Sequence, residues 1–445
     1  MKALALLAAL AALVPTVVAL SLRPGRFRGL FLAIIFAAPA LGVRASLNFW
    51  SMETYRGPDR GFEVTLADLV ALGLAIAMIL GRRERPLRWL PYNSLACLGF
   101  FVAALASAAV APSTLYAAFT LWKMVRLYIV YWAVVNTVRG GVPAWGAWAG
   151  LATAGAIVTF SAVQQKYLWG FYRVKATFDH SNTIPLFLNQ AMPALLAWGL
   201  GDVTMSPTRA LLSVGIALGM VFSVVATMSR AGILLAGLSL LVTVTLALRR
   251  ERRRLTEVTA ALVLLAMLAG GIKAASTIMD RVKNAPEESG QARDEFNLAA
   301  DLMLRDHPII GVGINNFPEV LTNEDKYNGH IQVMANEEQA GVCHHIYRLT
   351  LAETGYVGFA LFLLVILRFL WRAGRLAFRG HGLHSLLGAG FLFGHLALHG
   401  SGFLEWAFRI TPVAMMYAST CGLLVALSDD DAEAMRPPGP SPPGA

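Results

Sequence analysis

Residues 344–370 read HHIYRLTLAETGYVGFALFLLVILRFL, an ionisable pair at the start of a long apolar run. They follow directly on the longest polar stretch of the chain, residues 279–343. About 20 apolar residues in a helix are enough to cross the hydrocarbon core of a bilayer. Because ionisable groups are costly at such a position, His344 and His345 are candidates for a functional role.

Apolar runs of this kind recur along the whole chain. Of the 445 residues, 56% are hydrophobic and 14% are charged, whereas an ordinary soluble domain carries about 25% charged residues. We therefore predict an all-α membrane protein, a bundle of about 12–13 transmembrane helices with one large, mainly helical periplasmic loop. The predicted spans are 2–21, 29–47, 66–81, 91–111, 115–137, 144–164, 184–200, 208–228, 231–248, 256–278, 345–370, 384–402 and 406–427.

These spans divide the chain into four parts. Residues 1–278 hold the N-terminal transmembrane helices, 279–343 the periplasmic loop with amphipathic helices, and 344–428 the C-terminal transmembrane helices. Residues 429–445 begin with acidic residues and continue in Pro, Gly and Ser, which predicts a disordered cytoplasmic tail. Residues 1–20 are interpreted as the first membrane helix, because other spans follow and no signal-peptidase pattern precedes the arginines.

Lys and Arg in short loops indicate the orientation, because such loops stay in the cytoplasm. One alternating set of loops is short and strongly basic; it is centred on residues 23–28, 82–88, 139, 209, 249–254 and 372–379. The opposite set mixes acids and bases; it comprises 48–65, 165–183, 229–230 and 279–343. We therefore expect a multi-pass protein of a bacterial inner membrane with its active site facing the periplasm. The net charge of +10 follows from the basic loops, so no nucleic-acid partner is expected.

The outer loop has a helical pattern of its own. Residues 291–306 predict an amphipathic helix, and Pro308 ends it. Its apolar stripe consists of Phe296, Ala299, Ala300 and Met303. Residues 309–313 contain two glycines that permit a tight turn. Residues 315–318 then resemble a second helix start, with proline in the first turn.

Several cations and histidines are predicted to face outward together. They are Arg173, Lys175, His180, Arg230, Arg281, Arg293, His344 and His345. Arginine binds phosphate through two parallel hydrogen bonds and keeps its charge. Such charge stabilises a diphosphate as it leaves, and a neutral imidazole can take the proton of an attacking hydroxyl. The pattern suits transfer of a group from a lipid diphosphate to a hydroxyl acceptor, with the energy supplied by the donor's own bond.

Each candidate also has a purely structural interpretation. Arg230 can be an interfacial anchor, Arg293 part of a solvated helix face, and the histidine pair a polar helix cap. Arg281 and Arg173 can be ordinary loop charge. Lys123 and Arg126 lie within a span and are interpreted as structural. Three residues flank the last outer turn as candidates to line the same cavity; they are His395, His399 and Glu405.

The order of several short motifs resembles a known family. The motifs are FDHSN (178–182), SRAG (229–232), Arg293 with HPIIGVG (307–313), and HHIY (344–347) with AETG (352–355). This set resembles the O-antigen ligase and O-antigen polymerase superfamily over about residues 60–425. Each motif alone is loose, and their order and topology carry the resemblance.

The resemblance implies a metal-independent, GT-C-like glycosyltransferase without a cofactor. The implied donor is a glycan on undecaprenyl diphosphate; the acceptor is the lipid A-core for a ligase, or another lipid-linked glycan for a polymerase. Arg230 and Arg293 would hold the diphosphate, with Arg281 and Arg173 as further candidates, and His344 would be the base. The family usually has His-Asn where this chain has His344-His345, so the choice between the two histidines stays open.

Other functions are weighed against this one. Ligase is slightly preferred to polymerase, because the outer loop is single, late and compact. A lipid-linked glycan transporter, or flippase, would need cations in a central cavity open to both sides, whereas most candidates lie at the outer mouth. A metal-dependent oligosaccharyltransferase would carry a Trp-Trp-Asp signature, and the chain has no Trp-Trp. An O-linked oligosaccharyltransferase related to the same superfamily stays an open alternative. The sugar, its linkage, the stereochemical outcome and the oligomeric state do not follow from the sequence.

Overall fold

The structure is a computed structural model, almost entirely helical. It describes residues 2–434 apart from 24–25, 53–54, 82–84, 143, 203, 251–253, 255, 259, 266–267, 269–286, 330 and 332–340. The helices are α1 (Lys2–Leu22), α2 (Phe27–Ala37), α3 (Leu66–Leu80), α4 (Ser94–Ala109), α5 (Thr114–Arg139), α6 (Trp145–Val163), α7 (Thr183–Gly201), α8 (Pro207–Ala226), α9 (Arg230–Arg250), α10 (Glu287–Asp306), α11 (Phe317–Asn323), α12 (Asp325–Asn328), α13 (Ile346–Arg379), α14 (Gly382–Ser401) and α15 (Thr411–Ala434). A two-stranded antiparallel sheet joins β1 (Ser46–Phe49) to β2 (Phe62–Thr65), with Ser46 opposite Thr65.

The predicted fold class is confirmed: the chain is an all-α membrane protein. Seven helices within the described ranges are long and apolar enough to cross a membrane; they are Thr114–Arg139, Trp145–Leu168, Thr183–Gly201, Pro207–Ala226, Arg230–Arg250, Ile346–Arg379 and Thr411–Glu433. Shorter apolar helices occupy five further predicted spans; they are Leu6–Leu22, Phe27–Gly42, Leu66–Leu80, Ser94–Ala109 and Thr256–Leu265. The helix α14 coincides with the remaining span. The exact number of membrane crossings stays a prediction.

Two predicted span boundaries are wrong. The span predicted at 29–47 ends earlier, because Ser46–Phe49 forms a strand that pairs with Phe62–Thr65. The span predicted at 406–427 begins only at Thr411, after a short 3-10 turn at Ala407–Arg409. Both differences lie at the outer ends of spans, where the chain makes contacts with other loops.

The predicted disordered tail is also wrong for its first residues, because α15 continues to Ala434. Its last turns bind basic residues of several loops. Asp429 accepts from Arg139 at 2.7 Å and from Arg372 at 2.5 Å, and Arg139 is only 4% exposed. The other pairs at this end are Arg85 with Asp430 and Glu433, Arg88 with Asp429, Arg139 with Glu433, and His381 and His384 with Asp431. The predicted cytoplasmic loops thus meet at one end of the bundle.

The longest helix, α13, is broken at Gly355, where φ is 62° and ψ is −171°. The turn that follows α10 enters this break. Tyr356 N donates to Pro308 O at 2.7 Å, and Val312 N donates to Ala352 O at 2.9 Å. Buried backbone groups need hydrogen-bond partners, and a membrane offers no water to supply them. The turn therefore completes the backbone bonding of the broken helix.

Glycines allow this close approach from both sides. Gly311 and Gly313, which the sequence assigned to a tight turn, have φ values of 71° and 111°, so the predicted turn is confirmed. A Cβ on Gly311 would lie 2.3 Å from the carbonyl carbon of Glu353, and a Cβ on Gly355 would lie 2.3 Å from that of Ile309. Two backbones are in direct contact here, and only glycine fits between them.

The predicted outer-loop helices are confirmed. The helix α10 extends from Glu287 to Asp306, and α11 begins at Phe317 with a proline in its first turn. The four residues of the apolar stripe are buried; they are Phe296, Ala299, Ala300 and Met303. They belong to one core cluster with Ile346 and Leu349. Burial of this stripe fixes α10 on the outer end of α13.

The structural interpretation of Lys123 and Arg126 is confirmed, because both pair with acids. Lys123 forms an ion pair with Asp59 of the β1–β2 loop. Arg126 reaches Asp68 at 2.5 Å and Glu63 at 3.0 Å, with 2% of its side chain exposed. Isolated charges are costly within a membrane, so acids of the β1–β2 loop, β2 and α3 neutralise the cations of α5.

A second ion pair joins this network to α13. Arg409 pairs with Glu353, which is fully buried, and its second amino group lies 3.7 Å from Asp59. Burial alone would raise the pKa of Asp59. The charges of Lys123 and Arg409 and the hydrogen bonds from Lys123 and Thr120 outweigh burial, so the pKa of Asp59 is lowered. Asp59 is therefore ionised at neutral pH and connects three separate segments.

Replacing Gly355 with alanine is expected to destabilise the protein by about 2 kcal/mol or more, because the Cβ meets backbone and the dihedral angles suit only glycine. The melting temperature of the purified protein in detergent measures this loss.

Gly374→Ala in the same helix is the matched control. A Cβ at Gly374 would touch only Leu392, at 4.0 Å, so alanine there should leave the melting temperature unchanged or raise it. Equal melting temperatures for the two variants would contradict the proposed contact.

Candidate active site

The carboxylate of Glu405 is the point at which several outer segments meet. It lies in the turn after α14, with 12% of its side chain exposed. Its Oε2 is 3.6 Å from Nδ1 of His344, and its Oε1 is 3.7 Å from the guanidinium of Arg293. Asn182 donates to Oε1 at 2.6 Å. Four residues that are distant in the sequence therefore form one polar cluster.

His344 lies two residues before the start of α13 and is held between a carboxylate and an aromatic ring. The imidazole stacks on Trp406, with ring centroids 5.3 Å apart and planes 27° apart, and 22% of the side chain is exposed. A separation of 3.6 Å from Glu405 is longer than a hydrogen bond. Catalytic contacts are often long before substrate binds. The Nδ1 atom is therefore the ring nitrogen that lies on the side of the carboxylate.

His345 has a different role in the structure: it caps α13. Its Nδ1 accepts from the backbone N–H of Arg348 at 3.3 Å. The ring packs edge-on against Tyr347 and Phe403. Burial, and next the charge of Arg348, lower the pKa of His345. The neutral ring that accepts at Nδ1 is a helix cap, and it does not belong to the Glu405 cluster.

Arg173 extends the cluster toward α9. Its guanidinium donates to the amide oxygen of Asn182 at 3.0 Å and to the carbonyl of Thr227 at 3.0 Å. Asn182 in turn donates to Glu405. A continuous chain of contacts thus runs from the segment before α9 to the residues around His344. Arg173 holds this chain of contacts together.

Arg230 is the first residue of α9 and is exposed. Met228, two residues earlier, has a φ of 57°, which turns the chain sharply into the helix. The outer end of α9 lies beside that of α14, because a Cβ on Gly400 would be 3.3 Å from Leu235. Within the described part of the chain, the Arg230 guanidinium has no hydrogen bond or ion pair, so its donors are available to a ligand.

The remaining candidates are Arg281, His395 and His399. Arg281 lies outside the described residues. His395 and His399 were candidates to line the cavity, but both rings bond hydroxyls of α15. His395 lies 3.0 Å from the Thr420 hydroxyl and His399 lies 3.3 Å from that of Tyr417. Of these three residues near the last outer turn, only Glu405 reaches His344.

Two residues of the site were not assigned roles from the sequence. Asn182 belongs to the FDHSN motif, but its partner Glu405 is 223 positions away along the chain. Trp406 has no sequence signal beyond its position beside Glu405. Both are recognised only from contacts between distant segments.

A metal site does not emerge from the residues that the structure describes: none of their His, Cys, Asp and Glu side chains form a group of three or more that could hold an ion. Metal independence of the reaction stays a prediction that needs a biochemical test.

Comparison with known proteins agrees with the sequence motifs. Residues 215–363, about a third of the chain, match a protein-family model described as O-antigen ligase. The matched stretch contains Arg230, Arg293 and His344, whereas Asn182 and Glu405 lie outside it. No curated protein matches the chain significantly. The match supports the O-antigen ligase and polymerase superfamily, whose members are glycosyltransferase-like enzymes acting on lipid-linked glycans.

Replacing His345 with asparagine is expected to preserve stability, because asparagine is among the best helix N-caps. His345→Ala removes the cap and is expected to cost about 1 kcal/mol. Melting temperatures of the two variants in detergent, compared with the unaltered protein, measure the difference.

His345→Asn should also keep the native activity, since a cap takes no part in proton transfer. An inactive but fully folded His345→Asn protein would show that the second histidine has a chemical role.

Proposed function

We propose that the protein is a periplasm-facing inner-membrane glycosyltransferase. It transfers a glycan from undecaprenyl diphosphate to a sugar hydroxyl, as an O-antigen ligase whose acceptor is the lipid A-core. The observation that carries this proposal is the meeting of His344, Glu405 and Arg293 at the outer end of α13. Two of these three residues lie in the stretch that matches the O-antigen ligase family.

In the proposed reaction the acceptor hydroxyl binds against Nε2 of His344. The hydroxyl oxygen attacks the anomeric carbon of the donor glycan, and its proton passes to the imidazole. The new bond joins the anomeric carbon to the acceptor oxygen, while the bond from that carbon to the diphosphate oxygen breaks. Glu405 stabilises the imidazolium that forms, since an opposite charge favours the protonated ring.

The leaving diphosphate carries the developing negative charge. Arg293 and Arg230 are the cations proposed to receive it, because guanidinium groups match phosphate oxygens and keep their charge. Arg230 is exposed and begins α9, and Arg293 holds Glu405 only at 3.7 Å. Both are therefore accessible to a substrate. Arg173 is engaged with Asn182 and Thr227, so we assign it to positioning. Transfer should persist in excess chelator, because no step in this scheme uses a metal ion.

The polymerase alternative uses the same donor and the same base, and it differs in the acceptor.

The flippase alternative is less well supported. It needs accessible cations in a central cavity, whereas the buried cations Lys123, Arg126 and Arg409 are each paired with acids. Deletion of the gene tests the proposal through the cell's lipopolysaccharide. Loss of all long chains from lipid A supports a ligase, and a single remaining repeat indicates an O-antigen polymerase. Unchanged lipopolysaccharide contradicts both and points to an exopolysaccharide polymerase.

His344→Ala is expected to reduce transfer by about 10²–10⁴-fold, the usual contribution of a general base. The purified variant should insert, melt and bind donor as the unaltered protein does. Transfer measured with radiolabelled donor and lipid A-core tests this.

Glu405→Gln keeps the shape and the contact with Asn182 but removes the charge that stabilises the imidazolium. Its loss of turnover should be smaller than that of His344→Ala. Unimpaired transfer by folded His344→Ala protein would contradict the assignment of His344 as the general base.

Arg230→Lys and Arg293→Lys are expected to weaken donor binding and to restore little of what alanine removes, because lysine lacks the two-pronged geometry of guanidinium. Binding of lipid diphosphate to the purified variants measures this. Arg305→Lys, at the exposed end of α10, is the matched control and should bind donor normally. Full donor affinity in Arg230→Ala and Arg293→Ala would place the diphosphate elsewhere.

A further inference from the structure

A cavity of about 450 Å³ lies inside the bundle between α4, α5, α13 and α15. Its walls are mainly aliphatic and aromatic side chains. The lining positions on α5 run from Thr120 to Tyr131, a rise of about 16 Å along a helix. That is about half the thickness of the hydrocarbon core of a bilayer. The cavity is therefore a long apolar slot that extends along α5.

The slot reaches the surface that faces lipid. Leu98 of α4 and Val125 of α5 both line it, and they are 55% and 38% exposed. The opening thus lies between α4 and α5, at the depth of the acyl chains. Only a hydrocarbon chain is abundant at that depth, and ligand pockets of 300–1,000 Å³ are the usual size for binding.

The outer end of the slot adjoins the candidate active site. Ile346, which follows His345, lines it, and so does Phe408, two residues after the Trp406 ring that stacks on His344. A hydrocarbon chain held in the slot therefore places the polar group at its outer end close to the imidazole of His344.

The charges at the outer end of the slot indicate which of the two substrates, the donor or the acceptor, the slot would bind. Lys123 and Arg409 line the slot, but Asp59 and Glu353 already neutralise them. The leaving diphosphate of the donor needs accessible cations at the reacting centre, whereas the reacting group of the acceptor is a neutral hydroxyl. Arg230 belongs to α9, which contributes no residue to the cavity wall.

We propose that this slot binds a hydrocarbon chain of the lipid-anchored acceptor, and so places the acceptor on the His344 side of the site. This inference rests on the proposed transferase function. It predicts that the protein selects its acceptor by the lipid anchor as well as by the sugar. The donor approaches by another face, where α9 carries Arg230.

Substitutions that fill the slot test whether it binds the hydrocarbon chain of the acceptor. Ala418 of α15 and Cys97 of α4 line the slot, and phenylalanine at either position would occupy it. Ala106→Phe, on an exposed position of α4 outside the lining, is the matched control. Purified proteins are assayed with undecaprenyl-diphosphate-linked glycan as donor. The acceptor is either intact lipid A-core or its de-acylated, water-soluble form.

Ala418→Phe and Cys97→Phe should raise the KM for intact lipid A-core by about tenfold or more. The KM for donor, the kcat and the activity toward the de-acylated acceptor should stay unchanged, as should every value for Ala106→Phe. Melting temperatures identify a variant that fails to fold. If either Ala418→Phe or Cys97→Phe fails to fold, the kinetics of the remaining variant test the proposal.

A rise in the KM for donor, an equal effect on both acceptors, or unchanged kinetics in folded variants would overturn the assignment of the slot. These outcomes leave the transferase function intact. No transfer to either acceptor by the unaltered protein would remove the ligase function and the slot assignment together.

Discussion

The positions of α10 and the start of α13 depend on hydrogen bonds between two stretches of backbone. The break at Gly355 leaves groups of α13 without their helical partners, and the turn after α10 bonds to the chain on either side of the break. That contact fixes α10, which carries Arg293, relative to the start of α13, which carries His344. Glu353, two residues before the break, pairs with Arg409, four residues beyond Glu405. One irregularity in a helix thus positions the imidazole, the guanidinium and the carboxylate together.

Two groups of basic residues near the candidate site differ in their partners. Lys123, Arg126 and Arg409 are buried and paired with acids from the β1–β2 loop, α3 or α13. Removing one partner of such a pair leaves an uncompensated buried charge, so these pairs fix the outer loops to the helices. The second group, Arg230 and Arg293, lies at the mouth with its donors exposed or weakly engaged. The difference in pairing separates charges that maintain structure from charges that can bind an anion.

Local sequence patterns were enough for much of the architecture. Apolar runs gave the helices, the stripe of α10 was buried as its spacing predicted, and glycines marked the tight turn. The β strands were not predicted, because each has only four residues and half-buried side chains on both faces. The final turns of α15 were assigned to a tail, because their acids bind arginines up to 348 residues away, the separation of Glu433 from Arg85.

The candidate site shows the same limit. His344 and Arg293 were recognisable as chemically suitable residues. The distinction between His344 and His345 was not, because it depends on which ring turns back to cap α13 and which faces Glu405. Glu405 was only one of three residues near a turn until its contacts with Asn182 and Arg293 were known. Contacts between segments far apart in sequence carry information that a single sequence does not display.

The acidic end of α15 has a consequence for how the chain is made. In the predicted orientation, Arg85, Arg88, Arg139 and Arg372 retain their loops in the cytoplasm during insertion. Their counter-ions, Asp429, Asp430 and Glu433, are the last of these residues to leave the ribosome. These pairs therefore form only after the acids at 429–433 have been synthesised, later than the spans that the arginines flank. The charges that are predicted to direct the helices during synthesis later form the ion pairs that hold the predicted cytoplasmic loops against α15.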